Sequence, residues 1–186
     1  MLLQLKIQIK GITKPPVWRK LLVPDYFTFD RLHQVIQEAF GWQNYHLYQF
    51  SPKGFGSYPE IAIIDEEWDE GNTENAELLI LKDILNQTGQ KFTYIYDFGD
   101  SWTHQIVVED ILDKHVLKAE LLEGKGACPP EDCGSTWGYQ NVKDVMKDIH
   151  NEEHDEMRTW LGLEEGEKWD PNYFDLQAAK KRVAAV

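Results

Sequence analysis

From Met1 to Lys10, Leu3, Leu5, Ile7 and Ile9 alternate with Gln4, Lys6, Gln8 and Lys10. A period of two puts the two sets on opposite faces of a strand. Gly11 to Pro16 interrupts it with a glycine and two prolines, and Val17 to Val23 resumes it, which predicts a hairpin-like opening. The period then changes. Thr28 offers a capping oxygen, Phe29, Leu32, Val35, Ile36, Ala39 and Phe40 recur at helical spacing, and Gly41 permits a left-handed stop. His46 to Phe50 returns to strand character, and Gly54, Gly56 and Pro59 mark a turn before the short apolar run Ile61 to Ile64.

Asp65 to Glu77 carries seven acidic residues and no basic one, the pattern of an exposed loop. Leu78, Leu81, Ile84 and Leu85 have the intervals of a short helix. Tyr94 to Glu109 reads as two aromatic and β-branched runs around Asp97, Phe98, Gly99, Asp100 and Ser101, the composition of a central β-hairpin and its turn. Val116 to Leu122 predicts an edge strand, and the glycines and prolines from Gly124 to Gly134 predict an irregular loop reaching about to Tyr139. Beyond it, Val142, Val145, Met146 and Ile149 define one amphipathic helix and Met157, Trp160, Leu161 and Leu163 a second, while Asp175 caps a last one. The expected fold is α+β, a mainly antiparallel sheet with helices on one face and a helical C-terminal third. No repeat or low-complexity linker divides the chain, so residues 1–186 are read as one domain.

A chain of 186 residues is long enough to bury a core without metal or disulfide staples. Its 19 basic residues face 32 acidic ones, and the resulting charge of -13 repels phosphate backbones and anionic membranes. No window approaches a membrane span of about 20 apolar residues, and the alternating N-terminus is unlike a signal peptide. A cytoplasmic protein with reduced Cys128 and Cys133 is therefore expected. Nucleic acid is disfavoured as a partner. The best basic cluster is Lys10, Lys14, Arg19 and Lys20, with Lys180, Lys181 and Arg182 near the other end.

The densest polar chemistry lies at the central turn. Asp97, Asp100 and His104 offer carboxylate and imidazole ligands for a divalent metal, with Glu131 and Asp132 as helpers from the proline-rich loop. The competing reading is that these carboxylates cap turn amides and His104 is hydrogen-bonded on a strand. Cys128 and Cys133, five apart, make half a zinc site, a redox pair or simply a stiffened loop. His33 and His46, on the first helix and at the start of the following strand, either approach a pocket together or are half-buried and hydrogen-bonded to backbone, and His150 and His154, four apart amid acidic residues, have a spacing that could hold a metal but read as a solvated face. Trp42, Trp102 and Tyr139 are candidate pocket aromatics, although in a chain that is 12% aromatic core packing accounts for most such rings. The D-F-G triplet at Asp97 lacks every other element of a kinase.

Five stretches, F-D-R-L-H-Q-V-I-Q-E-A-F-G-W at Phe29 to Trp42, H-L-Y-Q-F, Y-I-Y-D-F-G-D-S-W-T-H, A-C-P-P-E-D-C-G and D-P-N-Y-F-D-L at Asp170 to Leu176, together resemble the Ri-plasmid open-reading-frame-three-like family. Its members are also described as insertion-element passenger proteins of a TnpR-like type. The sequence departs from that family's pattern at Ser135, where a second glycine is usual, and at Lys180. The passenger label describes genetic neighbourhood, and the chain lacks the arginine-rich catalytic domain and basic tail of a serine resolvase. The functional expectations are three: a non-enzymatic binding or accessory module for a protein or small-molecule ligand, a metal-dependent enzyme of hydrolytic type at Asp97, Asp100 and His104, and a DNA-associated accessory protein.

Overall fold

The computed structural model describes residues 1–64 and 71–186, so the first part of the expected acidic loop, residues 65–70, lies outside the described residues. Strands β1 (Leu2–Ile9) and β2 (Trp18–Pro24) form the opening antiparallel pair, with Leu5 opposite Leu21. Strand β1 also pairs with β7 (Trp102–Leu112), which is joined to β6 (Lys91–Tyr96) by the Asp97 to Ser101 turn. Outward from β6 lie β3 (Tyr48–Ser51), β4 (Glu60–Ala62) and β5 (Thr73–Asn75), while β8 (Glu120–Lys125) flanks β2. The eight-stranded order is β5-β4-β3-β6-β7-β1-β2-β8, antiparallel throughout except for the β4–β5 pair.

One face of this sheet is apolar and the other polar, as period-two alternation requires. Leu3, Leu5, Ile7, Ile9, Leu21, Val23, Tyr94, Tyr96, Trp102, Ile106 and Val108 are all buried and belong to one core. Helix α1 (Phe29–Phe40) lies on that face: its buried stripe includes Phe29, which meets Phe50 and Phe92, and Phe40, which meets His104. Thr28 accepts the Arg31 amide, and Gly41 ends the helix at φ 97. On the opposite face Lys6 lies over Trp18, and Glu109 receives both Gln4 and Lys20. Helix α2 (Leu81–Ile84) is one short turn, as the spacing predicts.

Three features differ from the sequence expectation. The Gly124–Tyr139 stretch is not irregular to its end: helix α3 (Ser135–Lys147) begins directly after Gly134, which turns the chain at φ 87. Tyr139, Val142 and Val145 then share one buried face, so the helical period starts where the glycines and prolines stop. The expected edge strand is shifted to β8 and runs through Gly124, where a Cβ would collide with Phe174 and come within 2.8 Å of Arg19 Cδ. Thr73–Asn75, inside the expected acidic loop, is strand β5.

After α3 come α4 (His154–Trp160) and α5 (Leu176–Val183), separated by irregular chain. Helix α4 buries none of its residues, so its Met157 and Trp160 do not form the apolar face that their spacing predicts. Helix α5, capped by Asp175, rests between α1 and β8. No helix among the described residues is long and apolar enough to cross a membrane.

Candidate functional site

Two polar networks rise from the β6–β7 hairpin, one inside the core and one at its turn. In the interior, Tyr94 stands opposite His104 and its hydroxyl reaches His33 Nδ1 at 2.8 Å. Gln37 donates to the same hydroxyl, and Asn44 Oδ1 lies 2.7 Å from His33 Nε2. With both nitrogens engaged by a phenol and an amide oxygen, His33 is neutral, and burial pushes its pKa down to about 4. Its ring stacks on Tyr48, whose hydroxyl donates to Asp30.

His104 belongs to this interior. Its ring is enclosed by Phe40, Trp42 and Tyr94, and neither nitrogen makes a well-formed hydrogen bond. Burial outweighs the nearby backbone of Trp102 and Tyr94 and pushes its pKa down to about 3. The register places His104 and Tyr94 together on the core face, and among the described residues His104 joins no cluster of metal-ligating groups.

The imidazole that meets the turn carboxylates is that of His46. Its Nδ1 lies 3.8 Å from Asp97 Oδ1, and its Nε2 lies 3.2 Å from Asp132 Oδ1 and 3.9 Å from Glu131 Oε2. Two of the three carboxylates are tied to backbone. Asp97, at φ 56, accepts the Gly99 amide on its side chain and donates its own amide to Leu47, which ties the turn to the segment that carries His46. Glu131 Oε1 accepts from the Gln43 amide and the Tyr96 hydroxyl, whose own oxygen accepts the Tyr45 amide. Burial raises the Tyr96 pKa, so that hydroxyl keeps the proton it donates. Asp100 sits apart from His46 and instead accepts the Gly134 amide, holding the proline-rich loop to the turn.

The cysteines lie beneath that loop, partly buried against the core and not joined to each other. Burial raises both thiols, Cys133 to about 12, so both are protonated at neutral pH. Further anchors are the Trp42 indole, which donates to Pro129, and the Tyr139 hydroxyl, which donates to Ala127. Trp102 and Tyr139 are 1% and 0% exposed and pack in the core rather than line an open pocket, whereas Trp42 borders a shallow cavity of about 510 Å³ beside Arg182.

A larger cleft, of about 660 Å³, opens next to His46. Tyr48, Tyr58, Leu47 and Phe98 form its apolar walls, and Asp30, Glu60, His33 and Asn44 supply polar groups. Tyr58 and Leu47 are largely exposed, and Phe98 meets Phe55 edge-on across the turn. The sequence pointed to the Asp97 turn, to Glu131 and Asp132, and to a shared pocket for His33 and His46, both of which line the cleft, but nothing in it joined His46 to the turn carboxylates, and the cleft draws on residues from five separate segments.

Arg19, the centre of the N-terminal basic cluster, is fully buried. Its guanidinium donates to the carbonyls of Trp18, Ala39, Lys125 and Gly126 and lies 3.6 Å from the Phe174 ring centre. Burial lowers its pKa to about 10, which leaves it charged at neutral pH and committed to the core rather than to a phosphate. His154 contacts Asp155, its neighbour in sequence.

The sequence profile of the family described as plasmid pRiA4b ORF-3-like protein matches residues 1–178. The chain is 34% identical over 183 residues to the uncharacterized protein y4hQ of Sinorhizobium fredii, spanning 98% of this chain and 92% of that protein. It is also similar to a crystal structure of a protein of unknown function from Methanosarcina mazei Go1, at a TM-score of 0.79 and 34% identity, covering 98% of this chain and 97% of the other.

Proposed function

The chain belongs to the plasmid pRiA4b ORF-3-like family, and from that premise we propose that it is a binding module whose ligand, a small molecule or a protein side chain, enters the cleft beside His46 with a positively charged, partly apolar group. The carrying observation is the lining among the described residues: three aromatic rings, Tyr48, Tyr58 and Phe98, and two carboxylates, Asp30 and Glu60, with no lysine or arginine. Aromatic faces attract cations, and two carboxylates under a net charge of -13 repel anions. The imidazole deepest in the cleft, His33, has both nitrogens occupied and is held neutral, which suits a wall better than a general base. That arrangement supports a binding role.

The test is ligand-observed NMR with tag-free protein, comparing phenethylamine and an arginine–phenylalanine dipeptide amide with 3-phenylpropionate. The amine, the dipeptide or both bind and the carboxylate does not, and Glu60→Gln weakens the cationic ligand about three- to tenfold, the loss of one partly exposed charge contact worth about 1 kcal/mol. A preference for the dipeptide points to a protein partner and for the free amine to a small molecule. Equal binding of the anion, or binding of none of the three, overturns the proposal.

A further inference from the structure

We propose that His46, Asp97 and Asp132, backed by Glu131, form a binding site for one divalent transition-metal ion. One ligand atom from each of His46, Asp97 and Asp132 can be chosen so that all lie within 4.8 Å of one another. Metal bonds of about 2.0–2.2 Å to nitrogen and oxygen place tetrahedral ligands roughly 3.3–3.6 Å apart. A single imidazole nitrogen binds the ion: His46 Nε2, 3.2 Å from Asp132 Oδ1, is already at that spacing, and Asp97 lies within the same 4.8 Å grouping and closes on the ion by a side-chain adjustment.

A second observation separates this corner from an ordinary acidic patch. His46 Nε2 and Glu131 Oε2 are both shielded from solvent and make no hydrogen bond, although Nε2 lies 3.9 Å from Oε2 and 3.2 Å from Asp132 Oδ1. The Glu131 side chain is only 11% exposed, and its other oxygen is held by two donors, so Oε2 is aimed at the imidazole by construction. Polar groups shielded from water without a hydrogen bond are destabilising where they stand. A cation between them satisfies both at once.

The donor set selects the ion. One imidazole with two or three carboxylates suits first-row divalent metals, whereas magnesium and calcium favour oxygen-only shells. Asp97 is an interior anchor at 8% side-chain exposure, and Asp132, at 71%, is the entrance.

Calorimetric titration of the tag-free full chain with zinc chloride, and separately with manganese and magnesium chlorides, tests the site. One zinc binds per chain, magnesium gives no saturable heat over the same range, and His46→Ala and Asp132→Asn each weaken zinc by at least about tenfold, as loss of even an outer-shell partner does. Cys133→Ser leaves the affinity unchanged. Absence of zinc binding, zinc binding that survives both substitutions, or loss with Cys133→Ser alone overturns the assignment. Asp132 is exposed, so Asp132→Asn keeps its fold, which a circular-dichroism melt confirms even where His46→Ala does not fold. The titration contains no organic ligand and the amine experiment is run in chelator, so either proposal can fail without the other.

Discussion

The core face of the sheet and the corner at its Asp97 turn are built from the same residue types in opposite ways. In the core, His33 and His104 are enclosed by rings and kept neutral by burial. At the corner, His46 stands among three carboxylates, two of them mostly shielded and one open to water. The backbone follows the same division. Among the described residues the non-glycine positions with positive φ are Asn44, Asp97, Ser101, Asp132 and Ser135; the first four lie in the three loops that meet at this corner, and Ser135 opens α3 directly after one of them. Such conformations cost about 1–3 kcal/mol each and are maintained by their surroundings. The core therefore supplies rigidity and the corner uses it, with Tyr94 and Tyr96, neighbours on one strand face, each serving one of the two networks.

The largest expected effect breaks the core by acid. His33 and His104 have folded pKa values of about 4 and about 3 against an ordinary 6.5, so the unfolded chain takes up protons first as the pH falls. Their contribution is fully present above pH 6.5 and is lost as the pH falls toward those folded values. At pH 5 each histidine has lost about 2 kcal/mol relative to pH 8, about 4 kcal/mol together. Urea unfolding at the two pH values measures the loss. His104→Leu, which keeps a buried apolar side chain and removes one titrating ring, reduces the loss by about half, and an unchanged pH dependence in that variant contradicts the account.

A smaller effect is expected at the β8 edge of the sheet. Gly124→Ala places a methyl against Phe174 and Arg19, and those two are already stacked on each other. Overpacking of this kind costs about 1–3 kcal/mol. The denaturation midpoint falls accordingly, while zinc affinity at the corner stays within twofold, because none of the metal-site residues touches Gly124.

The comparison also accounts for what the sequence made legible. Helix α1 was readable from Thr28 to Gly41 because capping chemistry, apolar period and the glycine stop all agree locally. The β6–β7 hairpin was readable for the same reason, although its register, which sends His104 inward with Tyr94, depends on the length of the turn. The corner was half legible. Asp97, Glu131 and Asp132 announce themselves by composition, but their partner His46 lies 51 positions from Asp97 and is brought in only by the pairing of β3 with β6. The resemblance to the plasmid family reached the whole chain, yet no local pattern distinguished Arg19, a core residue, from its solvated neighbours. Its burial rests on carbonyls more than 100 positions away.

The smallest effect has the opposite sign and isolates the strain at the corner. Ser135 holds φ 62, directly after Gly134 at φ 87. The left-handed region is nearly free for glycine and penalised for serine, whereas glycine gains more freedom in the unfolded chain, so the two terms partly cancel. Ser135→Gly is expected to raise stability by about 0.5–1 kcal/mol in urea titrations. It leaves the Gly138 amide bonded to Gly134 at the start of α3 and the Asp100 contact to the Gly134 amide in place. If the loop is strained only to aim Asp132 and Glu131 at His46, relieving Ser135 loosens that aim, and zinc affinity falls by less than about threefold as stability rises. Stability and affinity that rise together show instead that the strain at Ser135 opposes the site, and that glycine at this position completes it.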